Sequence, residues 1–185
     1  MKTNDCLRRL RYILELDDNG MIAAFAEGGA TVDRPAVSAW LKREEDEDYI
    51  PCEDNLFASF LNGLIIQRRG RRPGPPAVAE QQLTNNIVLK KLKIAFNLEA
   101  EEMLEMLSEQ AVKLSKHELS AFFRNPSNRH YRECKDQVLR NLLSALQTKY
   151  RPSNAPTDDD PTANDDSTAN KVQDSPWSRA QSKPS

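Results

Sequence analysis

Tyr49-Ile50-Pro51-Cys52-Glu53-Asp54 returns, at an offset of 82, as Tyr131-Arg132-Glu133-Cys134-Lys135-Asp136, with Tyr, Cys and Asp at the same spacing. The agreement continues without a gap in both directions. Upstream, Asn4 meets Asn86, Leu7 meets Leu89, Leu10 meets Leu92, Leu16 meets Leu98, Met21 meets Met103 and Glu27 meets Glu109. Ser38-Ala39 meets Ser120-Ala121, with Trp40 facing Phe122; downstream, Leu61 and Leu64 meet Leu143 and Leu146. From Asn4 to Leu64, 13 of 61 positions are identical to their partners, and Arg8, Arg9 and Arg11 face Lys90, Lys91 and Lys93. Self-similarity at one fixed offset is the signature of a duplicated structural unit. The chain divides into repeat 1 (3–66), a basic Pro/Gly linker (67–84), repeat 2 (85–150) and a tail (151–185).

Each repeat reads as four helices. Leu7, Leu10, Ile13 and Leu14 recur at helical period, as do Leu89, Leu92, Ala95 and Phe96. A second helix follows Asp17-Asp18 with Met21, Ile22 and Phe25 inward; its twin carries Met103, Leu104 and Leu107. Ser115-Lys116-His117-Glu118 fits a capping box opening the third helix of repeat 2, and Asp33 with Pro35 holds that place in repeat 1. The fourth helix is expected over 53–67 and again over 135–147. No segment has the alternation of a strand, so the fold class is all-α, a tandem duplication of a four-helix, helix-turn-helix-like unit.

Past Arg151 the composition turns to Pro, Ser, Thr, Asn and Asp, without one Leu, Ile, Phe, Met or Tyr. Such a segment cannot bury enough apolar surface to offset its ordering entropy, and it is expected to be a disordered acidic tail. Three cysteines, Cys6, Cys52 and Cys134, at no paired spacing and with no leader ahead of them read as free thiols in a cytoplasm. No apolar run has the length of a membrane span.

The net charge of −2 conceals an asymmetry: repeat 1 is acidic, the stretch from Gln67 to Arg151 is basic, and the tail is acidic again. Either the halves dock on each other or the basic half faces a polyanion.

The strings Asn86-Ile87-Val88-Leu89-Lys90-Lys91-Leu92-Lys93-Ile94-Ala95-Phe96, Phe60-Leu61-Asn62-Gly63-Leu64-Ile65, Leu119-Ser120-Ala121-Phe122-Phe123-Arg124 and Tyr131-Arg132-Glu133-Cys134 resemble the YehS-like family of uncharacterised bacterial proteins. The resemblance spans about residues 3–148 and departs at Ser144-Ala145, where a basic residue and Gly are expected. It implies a duplicated domain of unknown function in a bacterial cytoplasm. It supplies neither an activity nor site residues.

Two surfaces are candidates for binding. Val37-Ser38-Ala39-Trp40-Leu41-Lys42-Arg43 and the segment 115–124 have the form of a recognition helix, and in repeat 2 Lys116, Ser120, Arg124, Arg129 and Arg132 could contact phosphates or base edges. Against this, Glu44-Glu45-Asp46-Glu47-Asp48 follows directly in repeat 1, and Thr31 and Lys113 stand where the tight turn takes Gly. The second surface is the cluster Arg68, Arg69, Arg71 and Arg72, either a basic arm for a polyanion or a solvated loop paired with acids of repeat 1.

The doubled Tyr49/Cys52/Asp54 and Tyr131/Cys134/Asp136 motif admits a thiol nucleophile, but an Asp beside each Cys opposes a thiolate, and a rule of packing kept in both copies accounts for it better. With two histidines and no paired-ligand spacing, no metal site, cofactor or catalytic residue is expected. The sequence therefore points to a non-enzymatic binding or adaptor module acting through helical surfaces. A nucleic-acid-binding regulator is the alternative and a thiol enzyme or sensor the remote one. Protein and nucleic acid both stay open as partners, as does a homo-oligomer.

Overall fold

The computed structural model describes residues 1–151; of the tail expected to be disordered over 151–185, Arg151 is ordered as the C-cap of the last helix, held on Tyr12, and the rest lies outside the described residues. Within them are eight α-helices and no strand: α1 (Thr3–Ile13), α2 (Asp18–Glu27), α3 (Arg34–Leu41), α4 (Asp54–Arg69), α5 (Asn85–Ala95), α6 (Ala100–Glu109), α7 (Lys116–Ala121) and α8 (Asp136–Tyr150). Every helix of repeat 2 starts 82 residues after its counterpart, at 85, 100, 116 and 136 against 3, 18, 34 and 54.

The starts of α2, α3, α5 and α7 are set by side chains that satisfy the first free backbone N–H groups. Asp17 Oδ1 accepts from Gly20 N at 2.7 Å, Asp33 Oδ1 from Ala36 N at 2.9 Å, and Thr84 Oγ1 from Ile87 N at 3.3 Å. Ser115 and Glu118 form the expected reciprocal box: Glu118 N donates to Ser115 Oγ at 3.2 Å and Ser115 N to Glu118 Oε2 at 2.8 Å. The Glu118 carboxyl is held below its ordinary range by those Ser115 bonds first, then by Arg132 and His117.

Within a repeat, α2 lies on α4 and α6 on α8; between repeats, α4 runs along α5 and α8 along α1. Exchanging the repeats turns one seam into the other, so the halves are related by a pseudo-twofold. One core runs through both, with Leu7, Leu10, Phe25, Phe57, Phe60, Leu61, Leu89, Leu92, Met103, Leu139 and Leu143 fully buried, and the two repeats belong to one compact unit.

The repeats differ in how their second and fourth helices meet. In repeat 1 the helices touch backbone to backbone: a Cβ on Gly28 would stand 1.8 Å from Ser59 O, and one on Gly63 1.7 Å from Ala24 O. In repeat 2 those positions are Gln110 and Ala145, and Asn141 Nδ2 reaches across to Gln110 O at 2.9 Å. The close approach needs glycine on both sides, and side chains fill the wider one.

Two boundaries differ from the sequence reading. α4 does not stop at Gln67 but continues to Arg69, and α8 continues to Tyr150. The reason is local packing. Tyr150 packs against Phe96 with the rings tilted and their centres 5.1 Å apart, and the Arg68 guanidinium lies over Phe96 at 4.8 Å and Tyr150 at 5.6 Å. Gly70, at φ +81°, then ends α4.

Candidate functional site

The doubled Tyr-x-x-Cys-x-Asp motif is the fold's internal clasp. Asn4 is buried, and its Nδ2 donates to Trp40 O at 2.8 Å and Ile50 O at 2.9 Å, while its Oδ1 accepts from Cys52 N at 2.9 Å. Asn86 repeats this with Phe122 O at 2.9 Å, Arg132 O at 2.8 Å and Cys134 N at 2.9 Å. Thr3 Oγ1 and Asn85 Nδ2 add bonds to the Cys52 and Cys134 carbonyls at 2.6 and 3.0 Å. One asparagine thus satisfies three backbone groups, one at the end of a helix and two in the loop after it, that would otherwise be buried unpaired.

Asp54 and Asp136 tie the seams. Asp54 Oδ2 accepts from Leu83 N at 2.8 Å, and Asp136 Oδ1 stands 2.5 Å from the nitrogen of Met1, the residue aligned with Leu83. The amino group and Asn85 hold the Asp136 carboxyl below its ordinary range. Cys52 and Cys134 fill core space beneath the clasp, 3% and 1% exposed, and burial pushes each thiol up to about 12. Cys6 is buried and displaced to the same value. Among the described residues no group of three or more His, Cys, Asp or Glu is placed to hold a metal ion.

The seams carry a second matched pair. In α4–α5, Lys91 Nζ donates to Asn62 Oδ1 and stands 3.0 Å from Glu80 Oε2 in the linker. In α1–α8 the aligned residues are Arg9 and Ser144, joined at 3.0 Å. Where the resemblance led to an expectation of a basic residue, Ser144 receives a cation from the other repeat.

Of the candidate nucleic-acid contacts, two converge. The turn after α7 and the helix itself enclose a concavity of about 280 Å³ lined by His117, Glu118, Arg129, His130, Tyr131 and Arg132, with Ala121 at its base. Arg129 Nε donates to His130 Nε2 at 2.8 Å. The other three candidates lie outside this lining. Lys116 is ion-paired with Glu101 at 2.5 Å, Ser120 is exposed on α7, and Arg124 is half-buried past its end. The six-residue α7 is shorter than the eight-residue α3, and residues 110–115 separate it from α6. In repeat 1 the equivalent turn is Glu44-Glu45-Asp46-Glu47-Asp48, with Glu44 engaged by Lys2 and Asp48 by Lys42.

The basic cluster is not one flexible arm. Arg68 and Arg69 belong to the last turn of α4, and Arg68 is committed to the fold, its Nε donating to Ala95 O at 3.1 Å. Arg71 pairs with Glu27 at 2.5 Å, an acid of repeat 1 outside the Glu44–Asp48 run. Arg69, Arg71 and Arg72 line a second concavity, of about 390 Å³, together with Lys93, Leu98 and Glu99. Sequence reading missed the part of Lys93; its alignment with Arg11 was the available signal.

No helix of the described residues is long and apolar enough to cross a membrane. The family model described as "Protein of unknown function (DUF1456)" matches residues 3–70 and again 85–151, so its unit coincides with one repeat. The Uncharacterized protein YehS of Escherichia coli (strain K12) is 40% identical over 150 residues, an alignment covering 80% of this chain and 96% of that protein. No solved structure matches. With both copies matched and the relative covered nearly end to end, the chain belongs to the family described as Protein of unknown function (DUF1456).

Proposed function

We propose that the protein is a non-enzymatic, cytoplasmic binding module that holds an acidic partner protein at the tip of its second repeat. The observation that carries this reading is the opposite charge of one turn in two copies of one fold. Glu47-Asp48 in repeat 1 is Arg129-His130 in repeat 2, and the second pair lines a concavity with Arg132, His117 and one carboxylate, Glu118. Packing does not require the difference, because the clasp beneath is the same in both copies. The two guanidinium groups, Arg129 and Arg132, favour carboxylate or phosphate groups through charge-assisted hydrogen bonds. The non-enzymatic reading is supported by Cys52 and Cys134, the nucleophiles that a thiol mechanism would use, whose thiols are buried and held protonated.

A nucleic-acid regulator is the second reading, favoured by the meeting of Arg129 and Arg132 at one site. Titration with an acidic peptide and with labelled DNA and RNA of matched charge, at two salt concentrations, separates the two. Peptide binding lost in Arg129→Glu/Arg132→Glu supports the first. Nucleic-acid binding that falls steeply with salt and is lost in the same variant establishes the second. Retention of all binding by the variant removes the tip from both.

A further inference from the structure

The two ends of the molecule at which a fourth helix meets the other repeat are built from aligned residues, so each serves as the control for the other. At the α8–α1 end, Arg151 is satisfied. Its guanidinium lies 3.9 Å from the centre of the Tyr12 ring, its Nη1 donates to Tyr12 O at 3.2 Å, and its Nε stands 3.5 Å from Glu15 Oε1. Arg11 beside it donates from Nη2 to Asp18 Oδ1 at 3.1 Å.

At the α4–α5 end the cations are kept and their partners are gone. Arg69 aligns with Arg151 and Lys93 with Arg11, but Ile94 replaces Tyr12, Asn97 replaces Glu15 and Ala100 replaces Asp18. Arg69, Arg72 and Lys93 have no ion pair or side-chain hydrogen bond among the described residues, and all three line the concavity of about 390 Å³. Ile65 and Ile94, both half-buried, supply the apolar part of its lining. Glu99 is its one carboxylate, and on its rim Arg71 is already neutralised by Glu27.

We propose that this concavity binds a small phosphate-bearing molecule with an apolar body, such as a nucleoside diphosphate. Three cations against one carboxylate leave an excess suited to a diphosphate, and arginine presents a planar fork that matches phosphate oxygens. The volume is that of a small-ligand pocket, and the two isoleucines offer one apolar contact beside the convergent cations. An extended polyanion would have no use for that apolar contact. The site is separate from the tip of repeat 2, and the proposal stands independently of the function proposed for that tip.

The test is calorimetric titration of the full chain with ADP, with pyrophosphate and with a short oligonucleotide, at low ionic strength in a phosphate-free buffer. Saturable one-to-one binding of ADP and pyrophosphate is expected, with ADP the tighter. Asn97→Glu reinstalls the acid that occupies the arginine at the other end and should weaken both about tenfold. The aligned Glu15 already occupies the same left-handed conformation, φ 51° against 55° for Asn97. Arg69→Gln, at an exposed position, should do the same and serves if the first variant folds poorly. Lys90→Gln on α5 removes an equal charge away from the concavity and should change nothing, as should Arg129→Glu at the tip. Absence of saturable pyrophosphate and ADP binding, equal weakening by Lys90→Gln, oligonucleotide binding alone, or full affinity in both Asn97→Glu and Arg69→Gln would each overturn the proposal.

Discussion

Gly63→Ala adds one methyl group to the core of repeat 1, and the structure dictates what it meets. The new Cβ would stand 1.7 Å from Ala24 O and 2.7 Å from Ala24 C, both backbone atoms of α2 with no rotamer to retreat into. Even a close C–H···O contact needs about 3.3 Å, so α2 and α4 must part by roughly 1.5 Å at their crossing. Overpacking of this kind costs about 1–3 kcal/mol, and rigid backbone on both sides places it at the upper end. Alanine gains about 1 kcal/mol over glycine as a helix former, leaving a net loss of about 2 kcal/mol. For a domain of this size that lowers the midpoint of thermal unfolding by about 4–8 °C. Repeat 2 supplies the control. Ala145→Gly at the aligned position loses helix propensity and a buried methyl, about 1–2 kcal/mol, with no clash relieved. Urea unfolding followed by circular dichroism measures both. A neutral or stabilising Gly63→Ala would refute the claim that close backbone contact sets the α2–α4 geometry.

Three further outcomes follow from the same geometry. Asn86→Ala strips the partners from Cys134 N, Phe122 O and Arg132 O and should cost about 3 kcal/mol, read as a lowered urea midpoint, with Asn4→Ala matching it in repeat 1. Ala111 sits at φ 60° where repeat 1 has Gly29 at φ 89°, so Ala111→Gly should stabilise by about 0.5–1 kcal/mol, measured by the same unfolding curve. The three thiols should resist a disulfide reagent at pH 8 in the native protein and react in urea. Because their folded values near 12 exceed the ordinary thiol value of 9.0, the folded state binds their protons more tightly, and that stability should be lost as pH rises from about 9 towards 12.

The duplication, the helix order and the capped starts were legible because they rest on patterns local to the chain. Ser115 three residues before Glu118 announces a helix start whatever surrounds it, and the offset of 82 needs no structure to be seen. The ends of α4 and α8 were not legible, because Arg68 and Tyr150 continue their helices by packing on Phe96, the residue that caps α5. Asn4 and Asn86 were visible as an identical pair between repeats, yet nothing in their spacing reveals that each reaches a helix end and the loop after it, 36 to 48 residues away. The four arginines at 68–72 looked equivalent as a string. The fold assigns Arg68 to stacking, Arg71 to an ion pair, and Arg69 and Arg72 to a concavity, because helix rotation and the turn at Gly70 aim neighbours in different directions.

The matching of the α4–α5 seam to the α8–α1 seam carries an evolutionary consequence. A single-copy ancestor built this way would form both seams at once only as a symmetric homodimer, and every mutation would then strike both faces together. Joining two copies through residues 70–84 frees each to change alone. An acidic turn at one tip, a basic turn at the other, and an arginine satisfied at one junction while its twin stands open are all states that a homodimer of one gene product cannot reach. Fusion, on this view, was the step that allowed a symmetric scaffold to acquire a direction.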